Sequence, residues 1–251
     1  MSINNNQNTK GIILAGGAGT RLYPLTKITS KQLLPIYNKP MIFYPLSILV
    51  NAGIKDIMII TTKEDQENFK KLLGDGVDWG VDINFTIQPK PEGIAQSLMI
   101  CEEWIDNSSV ALILGDNLFF GPNLNKLIVD SIKDNSGATV FCVESKSPER
   151  FGVIDFDEKF NVLSIEEKPK DPKTNWIVTG LYIYDNDASS FANTLKKSKR
   201  GEFEITDLNM MYLKNKKLKA KKLDERFSWL DTGTFDTLLE ASNYVKNLEK
   251  D

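Results

Sequence analysis

Residues 14–40 read LAGGAGTRLYPLTKITSKQLLPIYNKP, directly after a short apolar strand predicted over Gly11–Leu14. Glycines at positions 16, 17 and 19 let the backbone approach a ligand closely, and successive N–H groups in such a loop can bind an anion. Arg21 and Lys31 follow the loop and supply positive charge suited to phosphates. The segment therefore predicts a strand, a phosphate-binding turn and a nucleoside triphosphate as ligand.

Two common nucleotide motifs do not fit this loop. The dinucleotide fingerprint G-x-G-x-x-G, started at Gly17, would need a third glycine where the chain has Leu22. The P-loop pattern fails because no glycine is followed by Lys and then by Ser or Thr. The glycines alone would fit an ordinary strand-to-helix turn equally well, so the segments after them carry the argument.

Length and composition limit the possible classes of protein. With 251 residues, of which 41% are hydrophobic, the chain can form one large α/β domain or two small ones. Its net charge of −3 gives no basic excess for nucleic acid, and no apolar run is long enough for a bilayer. No signal peptide is visible, and the polar, Asn-rich residues 1–9 predict a disordered tail. We expect no nucleic-acid partner and no membrane partner.

The chain contains no histidine and two cysteines, Cys101 and Cys142. Catalysis by a Ser-His-Asp or Cys-His arrangement is excluded, and so is zinc held by histidine. Both cysteines stand among apolar neighbours and are predicted to be buried free thiols, which fits a reducing cytoplasm. A reaction whose nucleophile is a phosphate oxygen needs no strong base, because that oxygen is already anionic at neutral pH.

Strands and helices alternate along the first 144 residues. Apolar runs rich in Ile, Val and Leu predict buried strands at Gly11–Leu14, Asp56–Thr62, Asp82–Gln88, Val110–Leu114 and Ala138–Val143. Helices are predicted at Met41–Asn51, Glu64–Leu73 and Ile94–Ile105, with Gly53 and Gly74 as C-terminal caps. Gly16, Gln88 and Asp116 each follow a predicted strand, so they should meet at one edge of the sheet.

In the second half of the chain, strands and helices no longer alternate regularly. Consecutive strands are predicted at Phe151–Phe156, Val162–Glu166 and Ile177–Tyr184, followed by helices at Ala188–Lys197 and Glu204–Leu213, a strand at Leu218–Leu223 and a helix at Phe235–Leu248. The predicted fold class is α/β, with a Rossmann-like, mainly parallel central sheet, helices on both faces and a smaller β-rich layer beside a cleft. Residues 10–251 form one domain in this interpretation, with halves at about 10–144 and 145–251.

The sequence resembles the sugar-1-phosphate nucleotidylyltransferases. The resemblance rests on GGAGTRLYPLT and SKQLLPIYNKP, and it continues in the family's order through IQPKPEGIAQS, LGDN, ERFGV, EEKP, TGLY, RGEFEITD and WLDTGT. It covers nearly the whole chain from Lys10 onward, which is far more specific than any single motif. The resemblance implies a Rossmann-like nucleotidyltransferase fold whose second half binds the sugar.

The resemblance also implies roles for individual residues. Arg21, Lys31 and Lys168 are the implied catalytic cations, and Asp116 and Asp231 are the implied ligands of Mg²⁺, which prefers oxygen ligands. The implied nucleotide-binding residues are Leu14, Ala15, Gly16, Gly17, Gly19, Thr20, Arg21, Lys31, Gln88, Gly93 and Asp116. The implied sugar-phosphate contacts are Asn117, Gly152, Glu167, Lys168, Tyr182 and Glu202.

Two features depart from the family pattern. Phe151 stands where the family often has tyrosine, so one hydroxyl contact to the sugar is lost. The chain stops soon after the helix ending near Leu248, whereas the long form of the family carries a further helical segment for regulation and subunit contacts. We expect the short form, still as a homo-oligomer.

The implied reaction joins dTTP and glucose 1-phosphate to give dTDP-glucose and pyrophosphate, for deoxysugar or surface-polysaccharide synthesis. The same chemistry with UTP or another sugar 1-phosphate stays open, because one methyl group distinguishes the bases by only about 1–3 kcal/mol. A non-catalytic nucleotide-sugar-binding relative and a glycosyltransferase are the alternatives from other classes. The predicted metal-binding carboxylates argue against a non-catalytic binding protein. A reverse reaction that requires pyrophosphate would exclude a glycosyltransferase.

Overall fold

The computed structural model describes residues 9–250. The predicted tail lies outside the described residues except for Thr9, which is 5% exposed and begins the first strand. Thr9 pairs with Ser109 of a neighbouring strand, so this residue belongs to the sheet and not to the predicted tail.

The secondary structure consists of strands and helices in an alternating order, with several single turns of 3-10 helix between them. The strands are β1 (Thr9–Ala15), β2 (Pro35–Ile36), β3 (Lys39–Pro40), β4 (Asp56–Thr61), β5 (Asp82–Ile87), β6 (Ser109–Leu114), β7 (Asn117–Phe120), β8 (Ala138–Glu144), β9 (Gly152–Phe156), β10 (Val162–Glu167), β11 (Trp176–Tyr184), β12 (Leu218–Lys222) and β13 (Ser228–Asp231). The helices are α1 (Phe43–Asn51), α2 (Gln66–Leu73), α3 (Gln96–Ile100), α4 (Glu102–Ile105), α5 (Leu124–Lys133), α6 (Ala188–Asn193), α7 (Ile205–Lys214) and α8 (Phe235–Leu248).

A nine-stranded sheet forms the centre of the molecule. Its first half has the order β6-β1-β4-β5, and all of these strands run parallel. Ile12 and Ile13 of β1 are fully buried on opposite faces of the sheet, each in a different apolar cluster. Helices therefore cover both faces, which confirms the predicted α/β class with a mainly parallel core.

The strands of the second half are hydrogen-bonded into the same sheet. β11 runs antiparallel to β6, with Leu181 opposite Ile113, and also pairs with β8 and β9. The predicted β-rich layer is thus an extension of the central sheet. Its strand β11 is buried along nearly its whole length, so it requires partners on both sides, and β6 supplies one of them.

Several elements differ from the predicted ones. The helix predicted at Ile94–Ile105 is interrupted at Cys101, where the backbone leaves helical geometry, and it forms α3 and α4. The helix predicted to reach Lys197 ends at Asn193. Helix α5 and the antiparallel pair β7–β13 were not predicted. Gly53 and Gly74 follow their helices with positive φ, as expected of C-terminal caps.

Apart from α8, the helices pack in two groups. Leu46 of α1, Phe69 of α2 and Ile128 of α5 belong to one apolar cluster, whereas Leu98 of α3 and Leu208 of α7 belong to the other. Helix α8 packs elsewhere, against β2 and the β7–β13 pair. Within residues 9–250, every helix is too short or too polar to cross a membrane.

Candidate active site

The carboxyl ends of β1, β5 and β6 meet at one edge of the sheet. The N–H of Gly115 donates to the carbonyl of Leu14 at 2.9 Å, which joins the turn after β6 to the end of β1. The side-chain oxygen of Gln88 presses against Gly16, where an added Cβ would lie only 2.3 Å from it. The predicted convergence of Gly16, Gln88 and Asp116 is therefore confirmed, and Gly16 is needed for this close approach.

An ion pair between a buried lysine and a half-buried aspartate lies at this edge. The ammonium nitrogen of Lys31 lies 2.6 Å from Oδ2 of Asp116, and the Lys31 side chain is only 6% exposed. The Asp116 Oδ1 atom accepts from the amide of Asn117 at 3.0 Å, and Thr232 donates its hydroxyl to the Asp116 carbonyl at 2.9 Å. These contacts hold the carboxylate of Asp116 in one orientation.

Asp231 joins this group through the pairing of β13 with β7, in which it stands opposite Asn117. Burial raises the pKa of Asp231, and the negative charge of Asp116 raises it further. The positive charges of Lys31, Arg21 and Arg150 act in the opposite direction. Two carboxylates from distant segments therefore lie within electrostatic reach of each other, and three cations surround them.

The guanidinium of Arg21 is held against the turn that follows Asp231. A Cβ added to Gly233 would lie 2.9 Å from one terminal nitrogen of Arg21 and 3.0 Å from its central carbon. A side chain at this position would therefore push the guanidinium away, so the glycine allows the contact between the amino-terminal turn and the segment before α8.

These carboxylates fit a magnesium ion. Mg²⁺ is commonly held by one or two carboxylates, with waters and substrate phosphates completing its shell. The buried and mutually repelling pair Asp116 and Asp231 offers this donor set, and a divalent cation would relieve the repulsion that raises the pKa of Asp231. Among residues 9–250 no cluster of three or more His, Cys, Asp or Glu side chains could hold a metal.

A cavity of about 340 Å³ opens beside this cluster. Its walls come from both halves of the sheet, with β6 and β7 on one side and β9, β10, β11 and α7 on the other. Of the predicted site residues, the walls include Arg21, Asp116, Asn117, Gly152, Glu167, Lys168, Tyr182, Glu202 and Asp231. The remaining predicted residues do not belong to the described lining of this cavity: Leu14, Ala15, Gly16, Gly17, Gly19, Thr20, Lys31, Gln88 and Gly93.

Glu167 is the centre of a polar network on the cavity wall. Its Oε2 atom accepts from the hydroxyl of Thr206 at 2.5 Å, and its Oε1 atom accepts from Arg200 at 3.1 Å. Arg200 also donates to Glu202 at 2.8 Å, and Lys168 lies 3.7 Å from Glu167. The network holds a carboxylate in a fixed place and sets two cations beside it.

Asn117 connects the two sides of the cavity. Its Oδ1 atom accepts from the backbone N–H of Gly180 at 3.0 Å and from the indole of Trp229 at 2.8 Å. Trp229 in turn packs edge-on against Phe151, with ring centroids 5.3 Å apart. Asn117 is 2% exposed and therefore has a structural function in addition to any contact with a ligand.

Gln88, one of the predicted nucleotide-binding residues, is buried and already has hydrogen-bond partners. Its amide nitrogen donates to Gln96 at 2.7 Å, and Gln96 donates to Glu92. Gly93 has φ of +107°, and an added Cβ would lie 2.3 Å from the carbonyl oxygen of Phe203. Both residues therefore shape this end of the site through contacts within the protein.

Sequence reasoning missed several cavity residues, namely Arg150, Arg200, Thr206, Asn209 and Trp229. Four of them lie in the ERFGV, RGEFEITD and WLDTGT segments, so the resemblance marked the right stretches without singling out these side chains. Asn209 lies just beyond RGEFEITD, on the same face of α7 as Ile205, and only the fold reveals its position.

Known proteins share both this sequence and this fold. A family model described as nucleotidyl transferase matches residues 10–247. A glucose-1-phosphate thymidylyltransferase from Neisseria meningitidis is 55% identical over 240 residues, covering 96% of this chain and 83% of that protein.

Two solved structures are similar along nearly their whole length. One is a Bacillus anthracis protein assigned provisionally as a glucose-1-phosphate thymidylyltransferase and crystallised with sucrose; it has a TM-score of 0.88, 42% identity and 95% coverage of each chain. The other is a UDP-glucose pyrophosphorylase complexed with UDP-glucose, with a TM-score of 0.82, 25% identity and coverage of 95% of this chain and 98% of that chain. Because the family model spans nearly the whole of the described residues and a curated relative is 55% identical over 96% of the chain, the chain belongs to the nucleotidyl transferase family.

Proposed function

We propose that the protein transfers a thymidylyl group from dTTP to α-D-glucose 1-phosphate, giving dTDP-glucose and pyrophosphate. One observation carries this proposal: Arg21, Asp116 and Asp231 come from three segments of the chain and line one cavity together with Glu167 and Lys168, and Lys31 is paired with Asp116 beside it. The names of relatives such as the Neisseria meningitidis enzyme supply the nucleotide and the sugar.

The chemistry needs positioning and charge stabilisation more than it needs a base. An oxygen of the sugar phosphate attacks the α-phosphorus of dTTP, the bond from that phosphorus to the bridging oxygen breaks, and pyrophosphate leaves with the electron pair. The attacking oxygen is anionic at neutral pH, so the absence of histidine is no obstacle. Fixed cations around both phosphates lower the barrier as negative charge moves to the leaving group.

In this proposal, Arg21 and Lys31 bind the triphosphate of dTTP. Gly16, Gly17 and Gly19 bring backbone N–H groups toward the phosphates, with Leu14, Ala15, Thr20 and Gly93 completing the walls of the nucleotide site. Lys31 is held by Asp116, so its ammonium is oriented before the nucleotide arrives. Gln88 contacts the base with the amide group that Gln96 keeps in place.

Asp116 and Asp231 would hold Mg²⁺, which supplies charge neutralisation at the phosphates and favours departure of pyrophosphate. The protein residues have separate tasks. Lys168, on the far wall, holds the sugar phosphate in line, and such alignment can supply much of a rate enhancement. Glu167 accepts from sugar hydroxyls, while Asn117, Gly152, Tyr182 and Glu202 complete the pyranose site. The homo-oligomer and the cytoplasmic location stay predictions from the sequence.

UTP is the second candidate nucleotide. The similarity to a UDP-glucose pyrophosphorylase over 95% of this chain supports it. Uracil and thymine present the same hydrogen-bonding edge and differ by one methyl group. A nucleotide panel that compares kcat/KM for dTTP and UTP, with glucose 1-phosphate fixed, decides between them.

Pyrophosphate release in the presence of dTTP, glucose 1-phosphate and Mg²⁺ tests the proposal. We expect rapid release by the wild type and a loss of at least about 100-fold for Asp116→Asn and for Asp231→Asn. Asp130→Asn is the matched control, because Asp130 is an exposed residue of α5 outside the described cavity lining. A wild-type rate equal to that of Asp116→Asn would exclude catalysis and favour a nucleotide-sugar-binding protein. Consumption of dTDP-glucose without pyrophosphate would instead indicate a glycosyltransferase.

A further inference from the structure

Asn209 presents an amide group that has only one partner. The residue is fully buried in α7, and its Oδ1 atom accepts from the hydroxyl of Tyr184 at 2.8 Å. Its Nδ2 atom, however, has no hydrogen-bond partner. Since an unsatisfied buried donor costs about 1–3 kcal/mol, this group calls for an explanation.

The position of Asn209 in the cavity wall explains the missing partner. Ile205, Thr206 and Asn209 all line the cavity, and their spacing places them on one face of α7. Thr206 directs its hydroxyl at Glu167, one turn before Asn209. The unpaired donor therefore stands on the same wall as the carboxylate assigned to the sugar.

The other polar groups nearby are already engaged. Glu167 accepts from Thr206 and Arg200, and Tyr184 donates to Asn209 itself. Tyr184 donates to Oδ1 of Asn209, which leaves Nδ2 without a partner. Because Asn209 belongs to the cavity lining, an acceptor for this nitrogen can come from a ligand in the cavity.

We propose that Asn209 is a specificity-determining residue, whose Nδ2 donates to a hydroxyl oxygen of the bound pyranose. The proposal rests on the proposed function, since it deepens the sugar-phosphate site described above. A buried donor without a partner favours sugars that bring an acceptor and disfavours analogues that lack it, because those leave the donor unpaired. Asn209 thus selects among hexose 1-phosphates without taking part in phosphoryl chemistry.

Three variants separate this role from a structural one. Asn209→Leu removes the donor at similar volume, and Asn209→Asp keeps an acceptor for Tyr184 but removes the donor. Tyr184→Phe, outside the described cavity lining, removes only the internal hydrogen bond. We expect both Asn209 variants to raise KM for glucose 1-phosphate by about tenfold or more, with KM for dTTP within twofold of wild type. Tyr184→Phe should leave both KM values within about twofold.

A deoxy-sugar series gives the sharper test. The 2-, 3-, 4- and 6-deoxy analogues of glucose 1-phosphate are compared in the wild type and in Asn209→Leu by kcat/KM. For one of the four analogues, the kcat/KM of the wild type should fall relative to glucose 1-phosphate. The kcat/KM of Asn209→Leu should not fall with the same analogue, because this variant already lacks the donor for the missing hydroxyl. Equal losses in both proteins for every analogue would overturn the proposal, and so would an effect of Tyr184→Phe as large as that of Asn209→Asp.

The outcome for the proposed function can be read separately. If the wild type released no pyrophosphate from dTTP and glucose 1-phosphate, that assignment would fail by itself. Calorimetric titration of the same deoxy series into both proteins would then still decide the role of Asn209. If none of the sugar phosphates bound the wild type, the proposal for Asn209 would fall as well.

Discussion

The ammonium of Lys31 and the carboxylate of Asp116 lie 2.6 Å apart although 85 positions separate the residues along the chain. Lys31 follows the glycine loop, and Asp116 follows β6. Because β1 and β6 are parallel neighbours, their carboxyl ends deliver the two charges to the same place. The pair therefore depends on the sheet order and on the loop after β1, which packs Gln32 against Gly115.

Lys31→Met should lower kcat for pyrophosphate release by about 100-fold or more, because a prepositioned cation is lost beside the triphosphate. It should also lower the free energy of unfolding by about 1–3 kcal/mol, since the half-buried Asp116 loses its partner. Stopped assays at 20 °C and chemical denaturation measure the two effects. Lys39→Met is the control, because Lys39 also forms a 2.7 Å ion pair, with Glu249, but at the surface. Equal effects of the two changes would contradict the assignment.

Gly17→Ala should affect the nucleotide without affecting the fold. A Cβ at Gly17 meets no atom within 4 Å, and its φ lies outside the left-handed region, so we expect an unchanged Tm. If the triphosphate occupies this open space, KM for dTTP should rise about tenfold. Gly93→Ala should behave in the opposite way and lower Tm, because its Cβ would meet the Phe203 carbonyl at 2.3 Å. An unchanged KM for dTTP in Gly17→Ala would argue against phosphate binding by this loop.

Glu167→Gln should raise KM for glucose 1-phosphate about tenfold with little change in KM for dTTP. The change removes a charge that receives hydrogen bonds from Thr206 and Arg200 on the cavity wall. Glu166→Gln is the matched control, because the neighbouring residue of β10 is exposed and points to the other face. Steady-state kinetics with each substrate varied in turn make the comparison, and similar KM values for both variants would exclude Glu167 from the sugar site.

The two thiols should be unreactive in the native protein. Burial raises the pKa of Cys101 to about 12 and raises that of Cys142 as well, with Lys222 partly offsetting the effect on Cys142. A thiol-specific reagent should therefore label neither residue between pH 7 and 9 but label both in denaturant. Thiols of the unfolded chain ionise at about pH 8.5, whereas the buried thiols of the folded protein stay protonated to higher pH. The free energy of unfolding should therefore decrease as the pH rises above that value. Rapid labelling of native protein at pH 8 would contradict the buried placement.

Local patterns predicted the parallel core well, because short apolar runs such as that of β1 carry their own signal. They missed α5 and the β7–β13 pair for different reasons. Asn123, at the N-cap position before Leu124–Lys133, has φ of +56° and makes no side-chain capping hydrogen bond, so this helix begins without the usual capping contact. The strand Ser228–Asp231 has half-buried residues throughout and reads as irregular until β7 is beside it. Cys101 interrupts a continuous helical pattern for which the sequence offers no breaker.

The sequence by itself determined the strands of the parallel core, the absence of histidine chemistry and the segments that carry the site, because glycine spacing, apolar periodicity and residue type are local properties. Only the tertiary structure decided that Asp116 forms an ion pair with Lys31 and that Gly233 leaves room for the guanidinium of Arg21. It also decided that the amide nitrogen of Asn209, in the cavity wall, has no hydrogen-bond partner. These relationships join residues far apart in the chain. They arise from strand order, register and packing, which depend on the free energy of the whole fold.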